Sequence, residues 1–335
     1  MNRVPTILML MCLGCTSRED RVTVYCAQDR EFAEALLADA ADHLHGRIET
    51  RYDTEANKSV GLFEDLKREA ARPRCGVWWN NEILNTIRMR RLGLLEPYAS
   101  PSAADYPSWT HPEDRTWQAF AARARVLIVH TRVPLADRPT SLLDLTDIRY
   151  RGTVCLARPL FGTSATQAAC LAEVMGIDAA TAWYDALKAN GATIASGNRQ
   201  VARLVASGAM DIGITDSDDA MQEIDAGQPV AMIFPDRTAS VDYPRFGTLY
   251  IPNTLAAIRG GPNPTGSREL IDYLLGAETE TRLAEGGGYQ IPLNPNARAK
   301  LPSGLIRPES GRAMAVDFER AADLWESMQE HLRGY

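Results

Sequence analysis

The stretch RVTVYCAQDREFAEALLADAADHL, residues 21–44, carries the fold in miniature. Residues 21–26 form a β-branched run that reads as a short strand. Residues 31–44 then place Phe32, Leu36, Leu37 and Leu44 at helical spacing, so the order is strand, loop, helix. The same order returns at 75–79 followed by 83–91, at 152–157 followed by 166–175, and at 211–215 followed by 219–226, with a further strand at 124–130. An extended apolar stretch follows at 248–258, helices at 268–275 and 279–285, and a closing amphipathic helix over 314–332. Strands alternating with helices predict an α/β fold with mostly parallel sheets flanked by helices. The chain has 335 residues, 45% hydrophobic and 24% charged, enough material for two lobes.

In such sheets ligands sit beyond the carboxyl ends of the strands, so the loops that follow them hold the candidates. They read AQDR at 27–30, NNE at 80–82, RPLFGTS at 158–164 and DSDD at 216–219. Thr163 and Ser164 enter a helix, where unpaired amides and the helix dipole favour an anion; plain N-capping is the simpler role. Asp216, Asp218 and Asp219 crowd three carboxylates into four residues. A cation, an ammonium-bearing ligand or the capping amides of the next helix would hold them together. The loop is not an EF-hand, because its glycine and closing glutamate are missing. Trp78 and Trp79 end a strand; alternation sends one of them off the core side and makes Trp79 a candidate cleft aromatic.

Several function classes fall away. A net charge of −7 lacks the basic surface that nucleic acid requires. The sequence holds no GxSxG elbow, Walker loop, HExxH or strand-linked GxGxxG, and its five histidines stand beside no recognisable nucleophile, so no catalytic residues are assigned and an enzyme is not expected. No apolar run is long enough for a spanning helix. At the N-terminus, Arg3, an apolar run over 4–13 and Gly14-Cys15 have the layout of a signal peptide with a lipoprotein-type cleavage site. Cys15 is then the lipidated first residue of a chain held outside the cytoplasm, although Cys12 replaces the usual aliphatic three residues earlier. Cys26, Cys75, Cys155 and Cys170 remain, an even number whose pairing sequence leaves open.

Seven segments in order resemble bacterial extracellular solute-binding proteins of ABC importers, in the two-lobed branch that includes the ferric-iron-binding proteins. They are VTVYCAQDRE (22–31), GVWWNNEILNTIRMRRLGLLEPY (76–98), RARVLIVHT (123–131), FGTSATQAACLAEVMG (161–176), SGNRQVARLVASGAMDIGITDSDDA (196–220), GTLYIPNTLAAIRGGPNP (247–264) and IDYLLGAETETRLAEGGGYQIPLNPN (271–296). The resemblance implies the type II periplasmic-binding-protein fold, with the ligand in a cleft between lobes. Residues 16–124 and 247–297 would form the first lobe and 125–246 the second, after a leader of residues 1–15 and before a C-terminal helical segment of 298–335. It also implies a monomer that passes its ligand to a membrane ABC permease.

Carried over by position, the resemblance puts Asp29 where ferric-binding relatives have a His, and Asn81 or Glu82 where they have a Glu. Their tyrosine pair is replaced by the 215–219 loop, with Tyr25 as a substitute, and their anion site falls at Thr163 and Ser164 with Arg125. The set Asp29, Glu82, Asp216, Asp218 and Asp219 would suit a hard cation such as ferric iron as the transported ligand. Carboxylates facing an anion-binding helix end suit a zwitterion such as an aminophosphonate equally well. A ligand sensor for a signalling partner is a further class.

Overall fold

The computed structural model describes residues 21–53, 60–238, 240–300 and 312–335. The leader and Cys15 lie outside the described residues, as does part of the 298–335 segment. The strands are β1 (Arg21–Cys26), β2 (Arg47–Tyr52), β3 (Val77–Asn80), β4 (Leu95–Glu96), β5 (Gln118–His130), β6 (Val154–Ala157), β7 (Thr193–Ala195), β8 (Ile212–Asp216), β9 (Val230–Ile233) and β10 (Tyr250–Ile258). The helices are α1 (Arg30–His43), α2 (Val60–Arg68), α3 (Leu84–Arg91), α4 (Gly162–Met175), α5 (Ile177–Ala189), α6 (Asn198–Ala206), α7 (Ser217–Asp225), α8 (Pro264–Leu274), α9 (Ala277–Glu285), α10 (Pro295–Lys300) and α11 (Phe318–Leu332).

The strands join one curled sheet in the order β2-β1-β3-β10-β5-β8-β6-β7, with β4 on β10 and β9 on β5. The predicted α/β class holds: β1 pairs parallel with β2 and β3, and β6 with β7 and β8. The long strands β5 and β10 run antiparallel between these groups. β5 changes partner along its length: Ala124 pairs with Tyr250 of β10, and the next residue, Arg125, pairs with Asp216 of β8. One strand thereby crosses from one half of the sheet to the other.

Strand β3 corrects the expectation for Trp79. Both tryptophans are buried, Trp79 against the Phe120 ring at 5.4 Å between centroids and Trp78 against Phe63 at 6.5 Å. β3 lies between β1 and β10 with both sheet faces covered, so alternation exposes neither indole. Gly213 of β8 lets α6 approach closely, since a Cβ there would stand 2.5 Å from Val201 Cγ1. The start of α6 is thereby set beside the end of β8. None of Cys26, Cys75, Cys155 and Cys170 is in a disulfide, and all are buried. Among the described residues no helix is long and apolar enough to cross a membrane.

Asp236 supplies a pH test of the packing. Burial pushes its carboxyl up to about 6, against the hydrogen bonds from Ser141 and the Leu142 amide. A carboxyl raised in the folded state favours folding while it is protonated. That contribution is present below the unfolded value near 3.8 and is lost as pH rises through about 6. Asp236→Asn, which also tolerates the φ of 60° at this position, should flatten stability across that window. The gain near neutral pH is expected to be at most about 3 kcal/mol, read by urea denaturation at several pH values.

Candidate functional site

Beyond the carboxyl ends of the central strands, Asp29, Asn81, Arg123, Arg158, Thr163, Ser164, Asn198, Asp216, Asp218 and Asp219 line one polar cavity. Four helices begin on it. The N-cap positions are Asp29 for α1, Phe161 for α4, Gly197 for α6 and Asp216 for α7, and in none does the side chain cap its own helix. The first amides of a helix have no acceptor within it, so four partial positive charges converge here. Gly162 turns the chain into α4 with a φ of 52°, a left-handed conformation that glycine adopts without strain.

The aspartate trio gathers as its spacing suggested, with one oxygen from each within 4.8 Å of the others. The chain itself supplies their counter-charges. Arg125 Nη1 donates to Asp216 Oδ1 at 2.7 Å, and Thr163 Oγ1 and Asn198 Nδ2 donate to Asp216 Oδ2 at 2.6 and 2.9 Å. Arg123 Nε lies 3.1 Å from Asp218 Oδ2, an ionic contact without hydrogen-bond alignment, and Arg199 Nε lies 3.7 Å from Asp219 Oδ1. Burial works against the Arg123 charge, but Asp218, Asp216 and Asp29 outweigh it and hold the guanidinium firmly protonated. Arg199 is held charged against burial in the same way by Glu31 and Asp219.

Arg125, expected at an anion site, does not line the cavity: it lies buried behind the wall as the partner of Asp216 and also donates to Gln167 at 2.9 Å. Two other expectations are corrected. Glu82 is fully buried and turned inward. It accepts from the Leu84 and Asn85 amides, from Asn80 Nδ2, and from Thr166 Oγ1 at 2.8 Å on α4. The helix start that follows Glu82 competes for its oxygens at closer range than any ligand. Tyr25 points away from the cavity. Its hydroxyl donates to Glu69 at 2.9 Å, and burial pushes the phenol up, so it is no tyrosinate donor.

Arg123, Arg158 and Asn198 were missed by the sequence reading. A signal existed for Arg123: it sits two residues before Arg125 in the strand FAARARVLIVH, which puts both guanidiniums on one face of an otherwise apolar run. Arg158 is exposed and makes no side-chain ion pair with a described residue. The amide oxygen of Asn81, a residue 2% exposed, accepts no hydrogen bond from a described residue. A buried acceptor left without a donor is costly and calls for a partner.

One strand thus crosses between two half-sheets, and residues from both halves line the polar cavity. The chain belongs to the bacterial extracellular solute-binding protein family, which matches residues 87–306. It is 23% identical over 320 residues to an uncharacterised protein of Haemophilus influenzae, covering 92% of this chain and 87% of that protein. Among solved structures it resembles apo ferric ion-binding protein A of Pasteurella haemolytica, with a TM-score of 0.81, 20% identity, and coverage of 94% and 97% of the two chains. Iron-bound HitA of Pseudomonas aeruginosa matches with a TM-score of 0.81, 18% identity, and 93% and 99% coverage. AfuA of Actinobacillus pleuropneumoniae, with fructose-6-phosphate bound, matches with a TM-score of 0.79, 20% identity, and 92% and 96% coverage. At such identities the likeness is one of fold, and the two ligand-bound neighbours hold chemically different ligands, iron and fructose-6-phosphate.

Proposed function

We propose that the cavity captures a small zwitterionic solute, with an aminophosphonate as the type, for delivery to an ABC permease from the outer side of the membrane. The observation that carries this reading is the convergence of four uncapped helix starts on one cavity. Such starts bind an oxyanion through first-turn amides that have no acceptor within the helix. Arg158 adds a full positive charge on the same wall. Across from it, Asn81 Oδ1 is an acceptor in need of a donor and Asp29 supplies a carboxylate, which suits an ammonium group.

The acidic trio argues against ferric iron as cargo despite its compactness. A hard trivalent cation needs several charged oxygens. Here the three carboxylates are paired to Arg123, Arg125 and Arg199, and no tyrosine or histidine lines the cavity among the described residues. The cavity encloses about 30 Å³, roughly the share of one water in the liquid. An organic solute therefore enters by parting the walls. Asp29 and Asn81 lie on one half of the sheet and α4, α6 and α7 on the other, so opening pivots on the crossing of β5 and β10. We take residues 16–124 with 247–297 as one lobe and 125–246 as the other, with Cys15 as the lipid tether.

A thermal-shift screen of the purified chain tests the reading. Aminoethylphosphonate or a related zwitterion should raise the melting temperature in proportion to occupancy, by linkage of binding to folding. Stabilisation by ferric citrate or ferric carbonate with no response to zwitterions or phosphate would overturn it in favour of iron.

A further inference from the structure

A second groove on the described surface shares no lining residue with this cavity and differs from it in chemistry. It encloses about 1060 Å³ beside the outer half of β1 and β2, closed by the end of α2, the 69–74 turn and Pro262-Asn263. Its charged lining is five arginines, Arg21, Arg51, Arg68, Arg72 and Arg74, against Glu49 and Glu69. Asp65, beneath, pairs with both Arg51 and Arg68, and positive charge remains in excess. Arg47 adds to it. It is exposed and shares the strand face of Glu49 and Arg51, since residues two apart on a strand point the same way. Arg72 is exposed and has no carboxylate partner among the described residues. Such a basic island stands out on a chain of net charge −7, most of whose surface repels other anions.

The position of the island identifies its occupant. Arg21 lines the groove. Cys15 stands six residues before it in the sequence, so the two can lie no more than about 20 Å apart. We infer that this groove is a membrane-facing surface that rests on anionic phospholipid headgroups and orients the protein on the bilayer with the solute cavity directed away from the lipid. The inference goes beyond the solute reading and survives its failure, because no residue of the cavity takes part. Lipidation of Cys15 is not required, since the attraction is that of arginines for an anionic surface.

The test uses the full chain carrying Cys15→Ser, so that no acyl group confounds binding, in sedimentation with phosphatidylglycerol-containing vesicles and with pure phosphatidylcholine vesicles. The leader's Arg3 and terminal amine favour anionic lipid by themselves, so the informative quantity is the part of the preference that substitutions in the groove remove. The native groove should favour the anionic vesicles by about tenfold or more, and the preference should collapse at high salt. Arg47→Glu with Arg72→Glu changes two exposed side chains that have no carboxylate partner among the described residues, and should cut the preference about tenfold or more at an unchanged melting temperature. Equal binding of the native chain to both lipids, or a preference undiminished by the double reversal, overturns the proposal.

Discussion

Asp216→Ala should destabilise the protein by about 3–5 kcal/mol, because it strands Arg125 without its counter-charge in a site where that side chain is only 2% exposed. It also removes the acceptor shared by Thr163 and Asn198. The melting temperature should fall by roughly 5–15 °C, read by calorimetry. Arg125→Met combined with Asp216→Leu should recover most of the loss, since an apolar pair of similar volume avoids the cost of an isolated buried charge. A melting temperature within a degree or two of native for Asp216→Ala would show that the pair is not a structural unit. The result separates two roles that spacing alone leaves merged. Asp216 organises the cavity wall, whereas Asp29 and Asp219 are the partly exposed acidic groups on it.

Arg158→Ala should behave in the opposite way, leaving the melting temperature of the unliganded chain unchanged and weakening the solute. Arg158 ties down no other described side chain, so truncation costs the fold nothing that the structure shows. A guanidinium to oxyanion contact contributes about 1.5–3 kcal/mol, or roughly 10- to 150-fold in affinity. Titration calorimetry with aminoethylphosphonate measures it. Unchanged affinity would remove Arg158 from the anion end of the site and leave the helix starts to hold the anion alone.

Much of the architecture is legible locally. A β-branched run followed by residues at helical spacing gives β1 and α1 within a residue of the expected bounds, and β8 and α7 within two. Elements with weak or short patterns escape that reading. β2 is half exposed along its length and β7 has three residues, so neither shows a continuous apolar run. The hydroxyl-rich segment at 162–164 reads as a loop but forms the first turn of α4, because Gly162 supplies the turn and the helix packs deeply enough to hold residues of low helix propensity.

The site divides along a similar line. By itself the sequence determined that strands would end in polar loops, that Thr163 and Ser164 would stand at a helix start, and that Asp216, Asp218 and Asp219 would be forced together, because each of these depends on residues only a few positions apart. Only the tertiary structure decided what those groups face. Asp216 meets an arginine 91 residues away, Glu82 spends its oxygens on a nearby helix start and on Thr166, and Tyr25 turns to Glu69 on the far side of its strand. The reason is physical. A carboxylate's role is set by the charge and dielectric within a few ångströms, and in a sheet where one strand crosses between halves those neighbours come from distant parts of the chain.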